Sequence, residues 1–219
     1  MNILFFYRIY PNYGGVEVVT TVLANRFFKD GNHVSIVSIE QPHMDLADQL
    51  PTDINIHKLE YPVNCAKNIK KLHDIIVDEK IDIVVNQWGL PSKTTKLCNS
   101  AIKGTHCKLV SVLHGSPYTS KVILQAQDKV QNSKNPILKI FYKCLLKCKE
   151  EVIKYNIRYN IAHNSKYILL SKGFIKPLIN YANPSDTSNI VAIGNPITIP
   201  VNLNGFSLDN KKKADSLYR

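Results

Sequence analysis

The stretch Ile3-Leu4-Phe5-Phe6-Tyr7-Arg8-Ile9-Tyr10-Pro11-Asn12-Tyr13-Gly14-Gly15-Val16-Glu17 decides how this chain folds. It opens as a short apolar run that reads as a buried strand. It then breaks at Pro11 and at the glycine pair. From Val16 the apolar residues recur at helical spacing, with Val16, Val19, Leu23 and Phe27 on one face. Arg26 and Lys29 lie near the helix end, and Asp30-Gly31-Asn32 stops it. Strand, glycine turn and helix in that order put bare backbone N–H groups at a helix start, where a phosphate can be held. A tight turn demanding φ > 0 is the plainer reading of the same glycines. The spacing is neither G-x-G-x-x-G nor G-x-x-x-x-G-K-S/T, which excludes a dinucleotide fingerprint and a P-loop.

Outward from this unit the alternation continues. Residues 33–39 read as a second strand and 54–59 as a short third. Residues 65–79 form a helix with Ile69, Leu72 and Ile76 inward and Lys67, Lys70 and Lys71 outward. A strand over 81–86, a helix over 91–101 with Pro91 in its first turn, and a strand over 107–113 come next. Helices are expected over about 119–131 and 136–155. Residues 159–163 read as the sixth strand, Asn164-Ser165 as the cap of a helix running to Lys172, and 190–193 as the seventh strand. The expected fold is α/β: a Rossmann-like, doubly wound, mainly parallel seven-stranded sheet with helices on both faces, spanning residues 1–199. After Pro200 the periodicity gives way to Asn202, Asn204, Gly205, Asp209, Asn210 and Lys211-Lys212-Lys213. That is the texture of a linker: 200–219 is expected to be either a disordered tail or, in one half of a larger protein, the lead into a second domain.

Of 219 residues, 44% are apolar, enough for the core of one large domain. A net charge of +11 favours an anionic partner: nucleic acid, a phosphorylated metabolite or an acidic membrane surface. An aromatic-basic RNA-binding pattern, zinc-ligand spacing and a helix-turn-helix are all missing, so nucleic acid is not the expected partner. Cys65, Cys98, Cys107, Cys144 and Cys148 are scattered, odd in number and without a C-x-x-C. They read as reduced thiols of a cytoplasmic protein, and no metal is expected. Met1 leads into a strand with no signal-peptide n-region, and no apolar run approaches the roughly 20 residues that span a bilayer.

An open parallel sheet binds its ligands at the carboxyl ends of its strands. After the first strand come Gly14, Gly15 and Glu17; after the fourth, Gln87 and Trp88; after the fifth, His114, Ser116 and Tyr118; after the expected sixth, Asn164 and Ser165. All would share one rim whose polar and aromatic groups, with glycine beside them, suit a sugar or a nucleotide. His114 can donate to a hydroxyl or phosphate or act as an acid–base group, or it can merely end a strand; Gly115 opens space in front of its ring. Trp88 can stack on a sugar face or serve as a core or lid aromatic. Glu17, Gln87, Trp88, Ser116 and Tyr118 are acceptor-side candidates by rim position alone. Residues 121–158 hold nine basic against three acidic residues, interleaved with Ile137, Leu138, Ile140, Phe141, Leu145 and Leu146. Such a stretch can lie on an anionic bilayer or be an ordinary solvated helix with its apolar face in the core.

In order along the chain, Ile3-Leu4-Phe5-Phe6-Tyr7 with Gly14-Gly15-Val16-Glu17, Gly31-Asn32-His33-Val34, Val112-Leu113-His114-Gly115, Asn164-Ser165-Lys166 and Ile193-Gly194-Asn195-Pro196-Ile197 resemble the N-terminal, acceptor-side half of a family 4 glycosyltransferase of the GT-B type. The resemblance runs over about residues 1–200. It implies two Rossmann-like domains across a cleft and a retaining transfer from a nucleotide-diphosphate sugar, with no metal or other cofactor. The implied acceptor is a saccharide or a lipid-linked saccharide, in polysaccharide or cell-envelope glycan synthesis. It puts Gly15 and Gly14 against the donor phosphates and His114 at the reaction centre. Asn164 and Ser165 would then lie at the cleft edge, and Asn195-Pro196 at the interdomain hinge. The family's E-x7-E donor motif would lie in the second domain, so this chain alone is expected to be a poor catalyst. The expected location is cytoplasmic, with 121–158 as a peripheral contact to the inner membrane face. An α/β-hydrolase would need a G-x-S-x-G that is absent. A non-catalytic anion- or nucleic-acid-binding α/β domain is the alternative.

Overall fold

The computed structural model describes residues 1–116 and 120–198, so Tyr118 and the expected linker 200–219 lie outside the described residues. One sheet organises them. β1 (Asn2–Ile9) is flanked on one side by β2 (His33–Glu40) and β3 (Asn55–Lys58). On the other side stand β4 (Ile83–Asn86), β5 (Lys108–Leu113), β6 (Lys166–Leu169) and β7 (Ile190–Ala192), giving the order β3-β2-β1-β4-β5-β6-β7. Every neighbouring pair is parallel. The strand order reverses between β1 and β4, and the crevice above such a reversal is where α/β sheets bind ligands.

Right-handed crossovers then dictate the layers. α1 (Gly15–Lys29) joins β1 to β2 and lies on one face. α2 (Ala66–Asp78), α3 (Ser92–Ile102), the hairpin of α4 (Lys121–Asn132) and α5 (Pro136–His163), and α6 (Ile175–Ala182) run in the opposite sense and share the other face. β1 shows the division residue by residue. Leu4 and Phe6 pack with Leu72, Ile76 and Leu97 of α2 and α3, whereas Ile3 and Phe5 pack with Leu23, Ala24 and Phe27 of α1. All four β1 side chains are buried, each stabilising the fold by roughly 1.5–3 kcal/mol. The faces are unequally covered. Beside α1, an apolar groove of about 260 Å³ is floored by Val85, Val110, Val112 and Ile168 of β4, β5 and β6.

Two expectations need correction. The sixth strand is not 159–163, which instead completes α5; it is β6. Ile153, Ile157 and Ile161 are buried at four-residue spacing, so the helical period runs through to His163. The segment expected as a helix, 164–172, alternates in burial (Tyr167 and Leu169 in, Lys166 out) and pairs with β5. β6 ends in a 3-10 turn (Lys172–Phe174) and then α6, a helix without a counterpart in the sequence reading, stopped by Asn183 at φ 46°. Asn164 and Ser165 therefore precede β6. They stand at the amino end of the sheet, not on the rim that carries His114.

Candidate functional site

The loop after β1 is held at its base. Tyr10 is buried, its hydroxyl lies 2.8 Å from Thr21 Oγ1, and its carbonyl accepts from Ser38 Oγ at 2.8 Å. Gly14 (φ −154°, extended) stands at the N-cap of α1 with no side-chain cap, and neither Gly14 nor Gly15 has a positive φ. The tight-turn reading of this pair is thereby overturned. The two glycines have different reasons to be there. A Cβ on Gly14 would fall 2.2 Å from Glu17 Oε2, because Glu17 folds back, buried, over the helix start. A carboxylate there is favoured by the helix dipole, and Asn12 Nδ2 approaches it at 3.5 Å. A Cβ on Gly15 would meet nothing within 4 Å. Among the described residues, neither packing nor backbone conformation requires that glycine. It opens on a cleft of about 490 Å³ between Tyr13 and Val18 on one side and Asn195, Pro196 and Thr198 on the other.

A second cleft, about 380 Å³, lies above the ends of β4 and β5, lined by Tyr7, Gln87, Trp88, His114, Gly115 and Ser116. His114 Nε2 donates to Gln87 Oε1 at 2.5 Å, which leaves Nδ1 as the acceptor atom of the ring. Burial pushes the His114 pKa down to about 4, so the ring is neutral at physiological pH. Burial, with the nearby negative charge of Glu17 adding to it, pushes Tyr7 up to about 12 and keeps it a phenol. Gly115 sits at φ +101°, a backbone state that favours glycine. Trp88 packs against the core, with the Arg8 guanidinium 5.7 Å and the Lys93 ammonium 5.3 Å from its ring centre. The apolar groove on the α1 face meets both clefts, sharing Asn195 and Pro196 with the first and Gln87 and His114 with the second.

Beneath the rim runs a buried polar network. Asn86 Nδ2 donates to Thr94 Oγ1 (3.1 Å) and Ser111 Oγ (3.0 Å), and Ser111 Oγ donates to Asn164 Oδ1 (2.8 Å). Asn164 Nδ2 donates to the Asn160 carbonyl at 2.7 Å. Asn160 Nδ2 in turn holds the carbonyls of Gly89 (2.7 Å) and Leu90 (2.8 Å), and its Oδ1 accepts from Thr95 Oγ1 (2.6 Å). Left unpaired, such buried groups would cost about 1–3 kcal/mol each. Paired, they fix the 87–90 loop that presents Gln87 and Trp88. Gly89 is needed there, since a Cβ would fall 2.4 Å from the Val112 carbonyl oxygen.

Gly14 and Gly15 thus share a cleft with Asn195 and Pro196, and Gln87, Trp88, His114 and Ser116 share the next one. Glu17 lies behind Gly14 and lines neither. Asn164 is a buried brace, and Ser165 is exposed, its N–H bonded to the Leu109 carbonyl. Sequence reasoning missed Tyr7 and Asn160. The signal for Asn160 was a polar residue on the buried Ile153–Ile157–Ile161 face of α5.

No protein-family model and no curated protein sequence matches the chain. Solved structures do. The lipopolysaccharide outer core galactosyltransferase WaaB in its apo form aligns with a TM-score of 0.56 at 14% identity, over 90% of this chain and 46% of its own. HepE (Alr3699) of Anabaena, solved with UDP and glucose, aligns with 0.57 at 14%, over 100% and 50%. A putative UDP-N-acetylglucosamine 2-epimerase of Listeria monocytogenes aligns with 0.51 at 14%, over 89% and 45%. At these identities the likeness is one of fold. The chain spans about half the length of these proteins and has the architecture of one half of a GT-B fold.

Proposed function

We propose that this chain is the N-terminal, acceptor-side half of a retaining, family 4 glycosyltransferase. The full enzyme moves a sugar from a nucleotide-diphosphate donor to a saccharide or lipid-linked acceptor. Gly15 carries the assignment: it is a glycine that no described residue requires, at the start of a 15-residue helix, open on a cleft. In this reading its bare backbone receives the donor diphosphate from a second half, and the helix dipole meets the negative charge without a metal. His114, locked by Gln87 and neutral, offers Nδ1 to a hydroxyl of the transferred sugar. Tyr7, Gln87, Trp88 and Ser116 face the acceptor from the same cleft. The solved HepE complex, with its UDP and glucose, supports a nucleotide-sugar chemistry for this architecture.

The test is acceptor-dependent release of nucleoside diphosphate from a panel of nucleotide sugars, by the protein carrying both halves. Gly15→Asp should abolish transfer with the melting temperature unchanged, because the added carboxylate occupies the phosphate position. Undiminished turnover in that variant would overturn the donor contact. Interconversion of a UDP-sugar with no acceptor present would favour the epimerase that shares the fold.

A further inference from the structure

The α4–α5 hairpin carries an apolar stripe without cover among the described residues. Helical spacing sets Ile137, Phe141, Cys144, Cys148 and Val152 along one side of α5, with Ile140 beside them. Ile137 is 76% exposed, Ile140 64%, Phe141 59% and Val152 59%. No residue of α5 before Ile153 is buried, because the sheet supports only the second half of the helix. Apolar exposure on this scale marks an interaction surface. Residues 129–149, which form the tip, hold six lysines and no acidic residue. The stripe ends at an apolar groove of about 350 Å³ lined by Leu90, Pro91, Val122, Cys148 and Val152. Leu90, Pro91 and Ser120 belong both to that groove and to the His114 cleft. One continuous surface therefore runs from the basic tip to the candidate reaction centre.

We propose that the hairpin docks on an anionic lipid bilayer, and that the groove admits the hydrocarbon chain of a lipid-linked acceptor to the His114 cleft. The docking stands on the surface alone; the acceptor clause rests on the transferase reading. Charge chooses the occupant. A second copy of the chain would set six lysines against six lysines. A nucleic acid would satisfy the lysines and leave Ile137, Ile140 and Phe141 in water. A bilayer with anionic headgroups takes both, the lysines at the headgroups and the apolar stripe just below them. No described helix is long and apolar enough to cross the membrane, so the contact lies along the surface.

The chain is sedimented with phosphatidylcholine vesicles containing 30% phosphatidylglycerol, and with phosphatidylcholine vesicles alone. It should pellet with the first and not the second, and 0.5 M salt should release most of it. The exposed variant Ile137→Asp/Phe141→Asp should keep the wild-type melting temperature and lose at least tenfold in vesicle affinity. A polarity-sensitive maleimide on the exposed Cys144 should shift to the blue on anionic vesicles, and the same dye on Cys65 should not. No pelleting at low salt would overturn the docking. So would unchanged affinity in the double variant, or a solution dimer that the double variant dissolves. The groove has its own reporter, since Trp88 is the single tryptophan and lines the adjoining cleft. Submicellar dodecyl maltoside should change its emission saturably, maltose alone should not, and Val152→Asp should abolish the change. A flat titration would overturn the acceptor clause with the docking intact, and neither outcome depends on turnover.

Discussion

The two ends of this sheet follow opposite rules. At the amino end most polar groups answer one another, the exception being Asn189 Oδ1 before β7, which is buried without a hydrogen-bond partner among the described residues. Glu79, at the close of α2, accepts from His57 at 2.7 Å, from His33 at 3.2 Å and from Ser35. Asp82 accepts the Asn2 backbone N–H at 2.8 Å and lies 3.1 Å from His106 Nε2. Asn2 Nδ2 reaches the carbonyls of Glu79 and Lys80. At the carboxyl end the groups are held in place with bonding capacity left over. His114 is fixed through one nitrogen, and Nδ1 has no hydrogen-bond partner among the described residues. Gly15 leaves a space that no described residue fills. The amino end pairs most of its polar groups internally, whereas the carboxyl end holds a ring nitrogen and an open helix start toward the clefts.

The largest effect should come from Gly89→Ala, which attacks the carboxyl end where it is pinned. The new methyl would lie 2.4 Å from the Val112 carbonyl oxygen, with backbone on both sides of the clash. A loss of about 3 kcal/mol, or failure to fold, is expected in chemical denaturation. A loss below about 1 kcal/mol would mean that the rim loop can slide and is not pinned.

Next is Glu79→Gln at the amino end. Burial alone would raise this carboxyl, but hydrogen bonds from His57, Ser35 and His33 overcome it and hold the pKa at about 2. The folded value lies below the ordinary 4.5, so the stabilisation is full above that pH and is lost as pH falls toward 2. The variant should melt several degrees lower at pH 7 and show a flatter stability profile between pH 4.5 and 2. An unchanged profile would mean that the cluster does not couple to folding.

His114→Ala should do less to stability, no more than about 1 kcal/mol at pH 7, because water in the cleft can replace the ring on Gln87. Its signature is again in pH. The unfolded chain takes up a proton near 6.5 and the folded one only near 4, so wild-type stability declines as pH falls across that window. The variant should lose that part of the decline, read by thermal melts at half-unit steps. The smallest effect belongs to Gly15→Ala. With open space around the new methyl and a normal helical backbone, stability should stay level or rise by about 0.5 kcal/mol. A clear destabilisation would return Gly15 to the role of a structural turn.

How far the molecule could be read from its sequence follows the range of the deciding interaction. β1 and α1 were legible because a strand buried on both faces is apolar throughout and the helix beside it repeats on its own period. Gln87, Trp88 and His114 were legible as the residues that end β4 and β5. The far half of α5 was not. Tyr159-Asn160-Ile161 has strand-like propensity, and what overrules it is distant: Asn160 finds Gly89, Leu90 and Thr95 more than sixty positions away. That one misreading carried Asn164 from one end of the sheet to the other. The glycine pair was half legible. Composition marked the turn, but only the backbone angles and the fold-back of Glu17 separate a glycine covered by a side chain from one that the described residues leave open.

α5 has one further consequence. Its 28 residues make a rod of about 42 Å, fastened near one end to Gly89 and Leu90 through Asn160 and flanked by α4 toward the other. Such a rod is both ruler and compass. Its length sets the stand-off between the cleft and whatever the tip rests on, and its winding sets the heading of the lysines. One residue inserted near Glu150 would turn the half of α5 before it by about 100° and take its lysines and apolar stripe out of register with α4.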